Sequence, residues 1–264
     1  VYNFAVNSTN AQPPDGWHIV NLDNKKRWKN ASCYLCGTRE TTHEHLPADN
    51  LYVSIKRTHD MITVPACSRH NHGFSQDDER FRSIIVPYCA NESPIAKALL
   101  DGKVNRANKR KPQLRKKNYD KIESFDIFSL RGIYAGTRRI RFDFTPDERS
   151  CMLRVYQRLS HAIYWHLMGK SPRGRQLKLL DIAESKGREI VDACMSAFKS
   201  APLLTSGHPD VFLYKSIGIG AEAEVVLTWT CFFNKLSIIT ISYPPERREY
   251  GSLANEKTFG EPRR

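Results

Sequence analysis

Cys33-Tyr34-Leu35-Cys36-Gly37 and Cys67-Ser68-Arg69-His70 carry the deciding pattern of this 264-residue chain. Two residues between donors let a pair of side chains wrap one ion in a tight knuckle, and Gly37 permits the turn that follows. Three thiolates and one imidazole complete a closed tetrahedron, the ligand set of a structural zinc site. Cys33, Cys36, Cys67 and His70 are therefore predicted to hold one zinc. A redox role for Cys33 and Cys36 lacks the surrounding βαβ pattern that such motifs need. The remaining cysteines, Cys89, Cys151, Cys194 and Cys231, sit in apolar segments and read as small buried hydrophobes. An odd total of seven argues against a secreted disulfide framework and for a reducing, cytoplasmic setting.

Between the knuckles lies Thr42-His43-Glu44-His45-Leu46-Pro47. In an extended strand, adjacent residues point to opposite sides, so Glu44 and His45 face different surroundings. One can face a metal while the other faces a substrate, the division of labour that phosphodiester hydrolysis needs. Short extended runs are expected over 51–56 and 61–64. A helix is expected from Ser75, with Asp78 completing a capping box and Phe81, Ile84 and Ile85 on one face, stopping near Pro87.

Segment 33–85 resembles the HNH nucleases, whose active site is a ββα-metal finger. The resemblance rests on Cys33-x2-Cys36, on Glu44-His45-Leu46-Pro47, and on Cys67-x2-His70 followed directly by Asn71. It implies that His45 is the general base, and that Glu44 and Asn71 bind a catalytic divalent ion, Mg or Mn. Glu44, His45 and Asn71 are then the catalytic residues. His70 replaces the family's usual fourth Cys. Ile62 stands where the family has its middle Asn, leaving Asp60 or Asn50 to fix the hairpin, and His72 or Asp78 to fill the distal position. His43 and His59 are by default exposed loop residues.

Charge points the same way. There are 41 Lys and Arg against 28 Asp and Glu, a net +13, and eight of the basic residues fall in 103–117 without one acid. Such a run is either a solvated linker or a set of phosphate contacts; beside the finger, Lys109, Arg110, Lys111, Arg115, Lys116 and Lys117 are expected to bind nucleic acid. Arg138, Arg139 and Arg141 extend the patch. Thr145-Pro146-Asp147-Glu148 opens a long helix ended by Gly169. A second helix covers 187–198. Strands over 211–216, 224–233 and 236–243 follow, with turns at Gly218 and Gly220 and at Asn234-Lys235. Tyr156, Tyr164, Trp165, Trp229, Phe232 and Phe233 read as core.

The expected fold class is α+β: a zinc-stabilised ββα-metal finger followed by an α+β domain with two helices and an antiparallel three-strand meander. The expected parts are an N-terminal arm (1–30), an HNH nuclease domain (31–100), a basic linker or loop (101–125), a C-terminal α+β domain (126–243) and a tail (244–264). No apolar stretch approaches the roughly 20 residues of a membrane span, and no signal peptide is expected. The resemblance implies a cytoplasmic endonuclease that nicks or cuts DNA, with RNA not excluded. By analogy its setting is bacterial phage defence, alongside other proteins of such a system. The alternatives are a catalytically inactive, zinc-stabilised nucleic-acid-binding protein and a protein-interaction module.

Overall fold

The computed structural model describes residues 31–39, 42–52, 57–110, 122–128, 134–142, 145–181, 188–220 and 224–246. The arm 1–30, residues 53–56 of the first extended run, basic residues 111–117 and the tail from 247 lie outside them.

The N-terminal part begins with strands β1 (Thr42–Leu46) and β2 (Ile62–Ala66), paired antiparallel with Glu44 opposite Val64 and His45 opposite Thr63. A 3-10 turn, Asp49–Leu51, follows β1 in place of the first part of the extended run. Helices α1 (Ser68–Gly73) and α2 (Ser75–Cys89) follow β2. The capping box expected at Ser75 does not form: Phe74 occupies the cap, the Ser75 hydroxyl donates to the His72 carbonyl, and Asp78 turns to Arg158. The helix also runs past Pro87 to Cys89. A proline this close to the C-terminus removes only one backbone donor, and the missing bond to the Ser83 carbonyl does not break the turns already formed. Ser93 then caps α3 (Pro94–Leu99) by accepting from the Ala96 N–H, and a π turn over Leu100–Val104 leads into α4 (Asn105–Arg110). Strands β3 (Ile122–Phe128) and β4 (Tyr134–Phe142) form a separate antiparallel pair.

The long helix α5 (Pro146–Met168) starts and stops as its sequence predicts. Thr145 and Glu148 form the reciprocal capping box, and Gly169 takes a left-handed conformation at φ 64°. After it come β5 (Gln176–Asp181), α6 (Arg188–Ala197), β6 (Leu204–Thr205), β7 (Phe212–Ile219), β8 (Val225–Phe232) and β9 (Leu236–Tyr243). The expected meander is the centre of a larger antiparallel sheet, ordered β5-β9-β8-β7-β6. The two flanking strands were hidden from sequence reading: β5 carries too few β-branched residues, and β6 is only two residues long. Gly218 lies inside β7 rather than in the turn, and Phe233 and Asn234 hold the left-handed positions between β8 and β9.

Strand alternation sorts this sheet into two packed faces. On one, Phe212, Tyr214 and Phe232 join α2, α5 and the segment around Tyr34 in a single core that includes Leu46, Phe81, Tyr156 and Leu159. On the other, Leu227, Trp229, Cys231, Ile239 and Ile241 pack against Val191 and Cys194 of α6 and Phe198 just after it. Strand β8 is covered on both faces and is buried along its whole length. Phe81 stands edge-on to Tyr156 and Phe232, with ring centroids 5.7 and 5.2 Å apart. The scattered cysteines are all buried and unpaired, as expected. Among the described residues no helix is long and apolar enough to cross a membrane.

Candidate metal centre and the histidine cleft

The two knuckles meet as their spacing requires. Cys33 accepts at its carbonyl from the Gly37 N–H (2.8 Å) and donates its own N–H to Thr38 (2.7 Å), with Gly37 at φ 73° closing the turn. Cys67 is the residue before α1, and its carbonyl accepts from the N–H groups of His70 and Asn71 at 3.0 and 2.9 Å. The Tyr34 N–H donates to Pro65 at 2.9 Å, joining one knuckle to the strand that carries the other.

The thiols of Cys33, Cys36 and Cys67 and one ring nitrogen of His70 consequently all lie within 4.8 Å of one another, a cluster that can hold a metal ion. Cys36 Sγ and Cys67 Sγ are 3.8 Å apart, and His70 Nδ1 lies 3.4 Å from Cys33 Sγ and 3.3 Å from Cys67 Sγ. A tetrahedral zinc with bonds of about 2.3 Å to sulfur and about 2.0 Å to nitrogen requires edges of about 3.8 Å between sulfurs and about 3.5 Å from sulfur to nitrogen. The four side chains fit that ion. Electrostatics agrees in part. Burial pushes the Cys36 thiol up, but hydrogen bonds from Thr38 and the neighbouring thiols outweigh it and bring it down to about 7. Burial, with help from Arg69, lowers His70 and keeps its ring neutral, the state that binds metal; burial pushes Cys33 upward.

Strand β1 leads away from this cluster with strict alternation. Glu44 and Leu46 are buried, and His43 and His45 are exposed. Glu44 Oε2 accepts from the Tyr34 hydroxyl at 3.0 Å, and Oε1 is 3.3 Å from Arg158 Nη1 of α5. The same guanidinium pairs with Asp78 and lies 4.7 Å over the Phe74 ring. Burial pushes Glu44 up to about 7 against the pull of Arg158 and Tyr34, and Asp78 is raised for the same first reason. Asn71 spends its amide elsewhere, donating Nδ2–H to the His43 carbonyl at 3.0 Å. Glu44, expected to share a divalent ion with Asn71, thus has both carboxylate oxygens engaged with protein partners, while the Asn71 bond does not use Oδ1, the amide atom that would face a cation.

His45 lies on the opposite side of the strand, on a cleft of about 700 Å³ lined also by Arg57, Thr58, His59, Asp60 and Thr63. Its cross-strand neighbour Thr63 faces one ring nitrogen. The Thr63 hydroxyl lies 3.0 Å from the Met61 carbonyl and 3.3 Å from His45 Nδ1; where it donates to the carbonyl, it accepts from Nδ1–H. In that tautomer Nε2 carries the lone pair that a general base needs.

Sequence reading missed the device that holds this cleft. Ser206, in the loop after β6 and wholly buried, accepts from the Ile62 N–H at 2.8 Å and donates to the Leu46 carbonyl at 2.7 Å. It bridges the last residue of β1 and the first of β2, the hairpin-fixing task expected of Asp60 or Asn50. Gly207 continues the clip: its carbonyl accepts from the N–H groups of Thr58 (2.9 Å) and His59 (3.0 Å), and its N–H donates to Asp60. A Cβ at Gly207 would meet Met61 Sδ at 2.6 Å and the Tyr52 ring at 2.7 Å, and its φ of 77° also favours glycine. Only the Ser-Gly pair between two short strands marked this loop in the sequence. Lys109 and Arg110 end α4; Lys111, Arg115, Lys116 and Lys117 lie outside the described residues. Comparison of the chain with protein-family models, with curated proteins and with solved structures finds no match.

Proposed function

We propose that this protein is a nucleic-acid phosphodiester hydrolase of the HNH kind, acting on DNA, with His45 as general base and the zinc knuckle as the scaffold that holds its strand. The observation that carries this reading is His45 itself. Its Nδ1 faces the Thr63 hydroxyl, the tautomer protonated there offers an Nε2 lone pair, and the ring stands on a cleft large enough for a nucleotide. The Arg57 guanidinium lines the same cleft, and the net charge of +13 favours a polyanion. Of the six basic residues expected to contact nucleic acid, Lys109 and Arg110 are the two that are described.

In hydrolysis, His45 Nε2 takes a proton from water as the oxygen attacks phosphorus. Zinc, held by Cys33, Cys36, Cys67 and His70, supplies structure only, since four protein ligands leave it no open position. Mg or Mn, which the family resemblance puts on Glu44 and Asn71, has no ready ligand pair there, because Glu44 is committed to Tyr34 and Arg158. That same commitment favours the second reading, a zinc-stabilised binding protein without activity.

Cleavage of plasmid and oligonucleotide DNA, with an RNA transcript in parallel and with or without Mg²⁺ or Mn²⁺, separates the two. His45→Ala is expected to lose cleavage by roughly two to four orders of magnitude while retaining zinc and DNA binding. Equal rates from parent and variant, or binding without any cleavage by the parent, would make the finger a binding module.

A further inference from the structure

Resting on the hydrolase reading above, we infer that His59 is a second catalytic residue of the cleft, the general acid that protonates the departing sugar oxygen while His45 activates water.

The cleft holds two imidazoles, and both are tethered alike. His45 Nδ1 is bound to the Thr63 hydroxyl, and His59 Nδ1 lies 2.9 Å from the Thr58 hydroxyl, so in each ring Nε2 is the nitrogen left for other chemistry. Loop position alone would make His59 a mobile surface residue, but its backbone is not that of a loose loop. The Gly207 carbonyl takes both the Thr58 and His59 N–H groups, and the Gly207 N–H returns to the Asp60 carbonyl. The Tyr52 hydroxyl, donating to the Ser206 carbonyl at 2.6 Å, fastens the same clip from the other side. The C-terminal sheet thereby positions a histidine of the N-terminal finger. Surface loops with so many backbone anchors are the places where proteins hold a side chain for use.

The chemistry supplies the need. Expelling an alkoxide from a phosphodiester requires either a cation on the leaving oxygen or a proton delivered to it. The carboxylate that would anchor a cation, Glu44, faces the interior and pairs with Arg158. A proton donor on the cleft side meets the same need. Water gives its proton to His45 Nε2 and its oxygen forms a bond to phosphorus. The bond from phosphorus to the sugar oxygen breaks, and that oxygen receives the Nε2 proton of a His59 that starts as the imidazolium and ends as the neutral ring. Exchange with solvent then returns both rings to their starting states. Arg57, on the same wall, is ion-paired with Asp49 and would meet the phosphate oxygens through the guanidinium donors that this pair leaves over.

The test uses a DNA oligonucleotide and its analogues with sulfur replacing the bridging oxygen on the 3′ or the 5′ side. A thiolate leaves without protonation, so only the acid becomes dispensable. His59→Ala is expected to cut the ordinary oligonucleotide roughly two to four orders of magnitude more slowly than the parent, and to approach the parent rate on the analogue whose leaving atom is sulfur. His45→Ala is expected to be slow on all of them. His59→Ala cutting the ordinary oligonucleotide at the parent rate would overturn the assignment. So would an equal loss on every substrate, which is the mark of a residue that only shapes the cleft. Zinc content and the urea midpoint of each variant report folding separately. A parent protein that cuts nothing refutes the hydrolase reading itself and removes this inference with it.

Discussion

Ser206→Ala tests how the two halves of the molecule are joined at the cleft. The hydroxyl is wholly buried and makes two short hydrogen bonds, from the Ile62 N–H at 2.8 Å and to the Leu46 carbonyl at 2.7 Å. Alanine removes both and adds nothing, so a backbone donor and a backbone acceptor are left inside protein without partners. Each such orphan costs about 1–3 kcal/mol, and incomplete relaxation of the pair puts the total at about 2–4 kcal/mol. Against a typical stability of about 5–15 kcal/mol this is a large share. Urea unfolding in excess zinc is the assay, since a fixed metal supply keeps zinc loss out of the result. With a denaturant slope of about 3 kcal/mol/M, the midpoint should fall by about 1 M. Ser200→Ala, which removes a long 3.4 Å bond from an exposed hydroxyl, is the control and should leave the midpoint unchanged. A drop of under about 0.3 M for Ser206→Ala would mean that the strand ends satisfy themselves and that the clip is incidental.

Cys67→Ser should reduce bound zinc from about one ion per chain to near none, read by elemental analysis, because the remaining three donors no longer close the tetrahedron; full retention would remove Cys67 from the ligand set. Glu44→Gln should reveal a titration in the fold. Burial raises Glu44 from 4.5 to about 7, so the folded chain holds this proton more tightly than the unfolded one. Its contribution to stability is therefore complete below about pH 4.5 and is lost as pH rises through about 7. The parent should weaken relative to the variant by up to about 3 kcal/mol between pH 5 and 8, and an unchanged difference would show that Arg158 holds the carboxylate ionised throughout.

Local signals were legible before any fold was known. Ligand spacing identified Cys33, Cys36, Cys67 and His70, because a metal site built from two tight knuckles is written in windows of four residues. The capping box at Thr145 and the stop at Gly169 were legible for the same reason: each uses contacts within one turn of helix. Alternation along β1 separated Glu44 from His45, yet periodicity is silent on which side of a strand is inside. Tertiary packing decided that. Helix α5 brings Arg158 under β1, so Glu44 and Asp78 are drawn inward to a buried guanidinium and His45 is left on the cleft. The same holds for Ser206 and Gly207. Nothing near them in the chain marks them as partners of Leu46, Ile62 and His59, since a hydrogen bond across the core depends on where the sheet carries a loop and not on its neighbours in sequence.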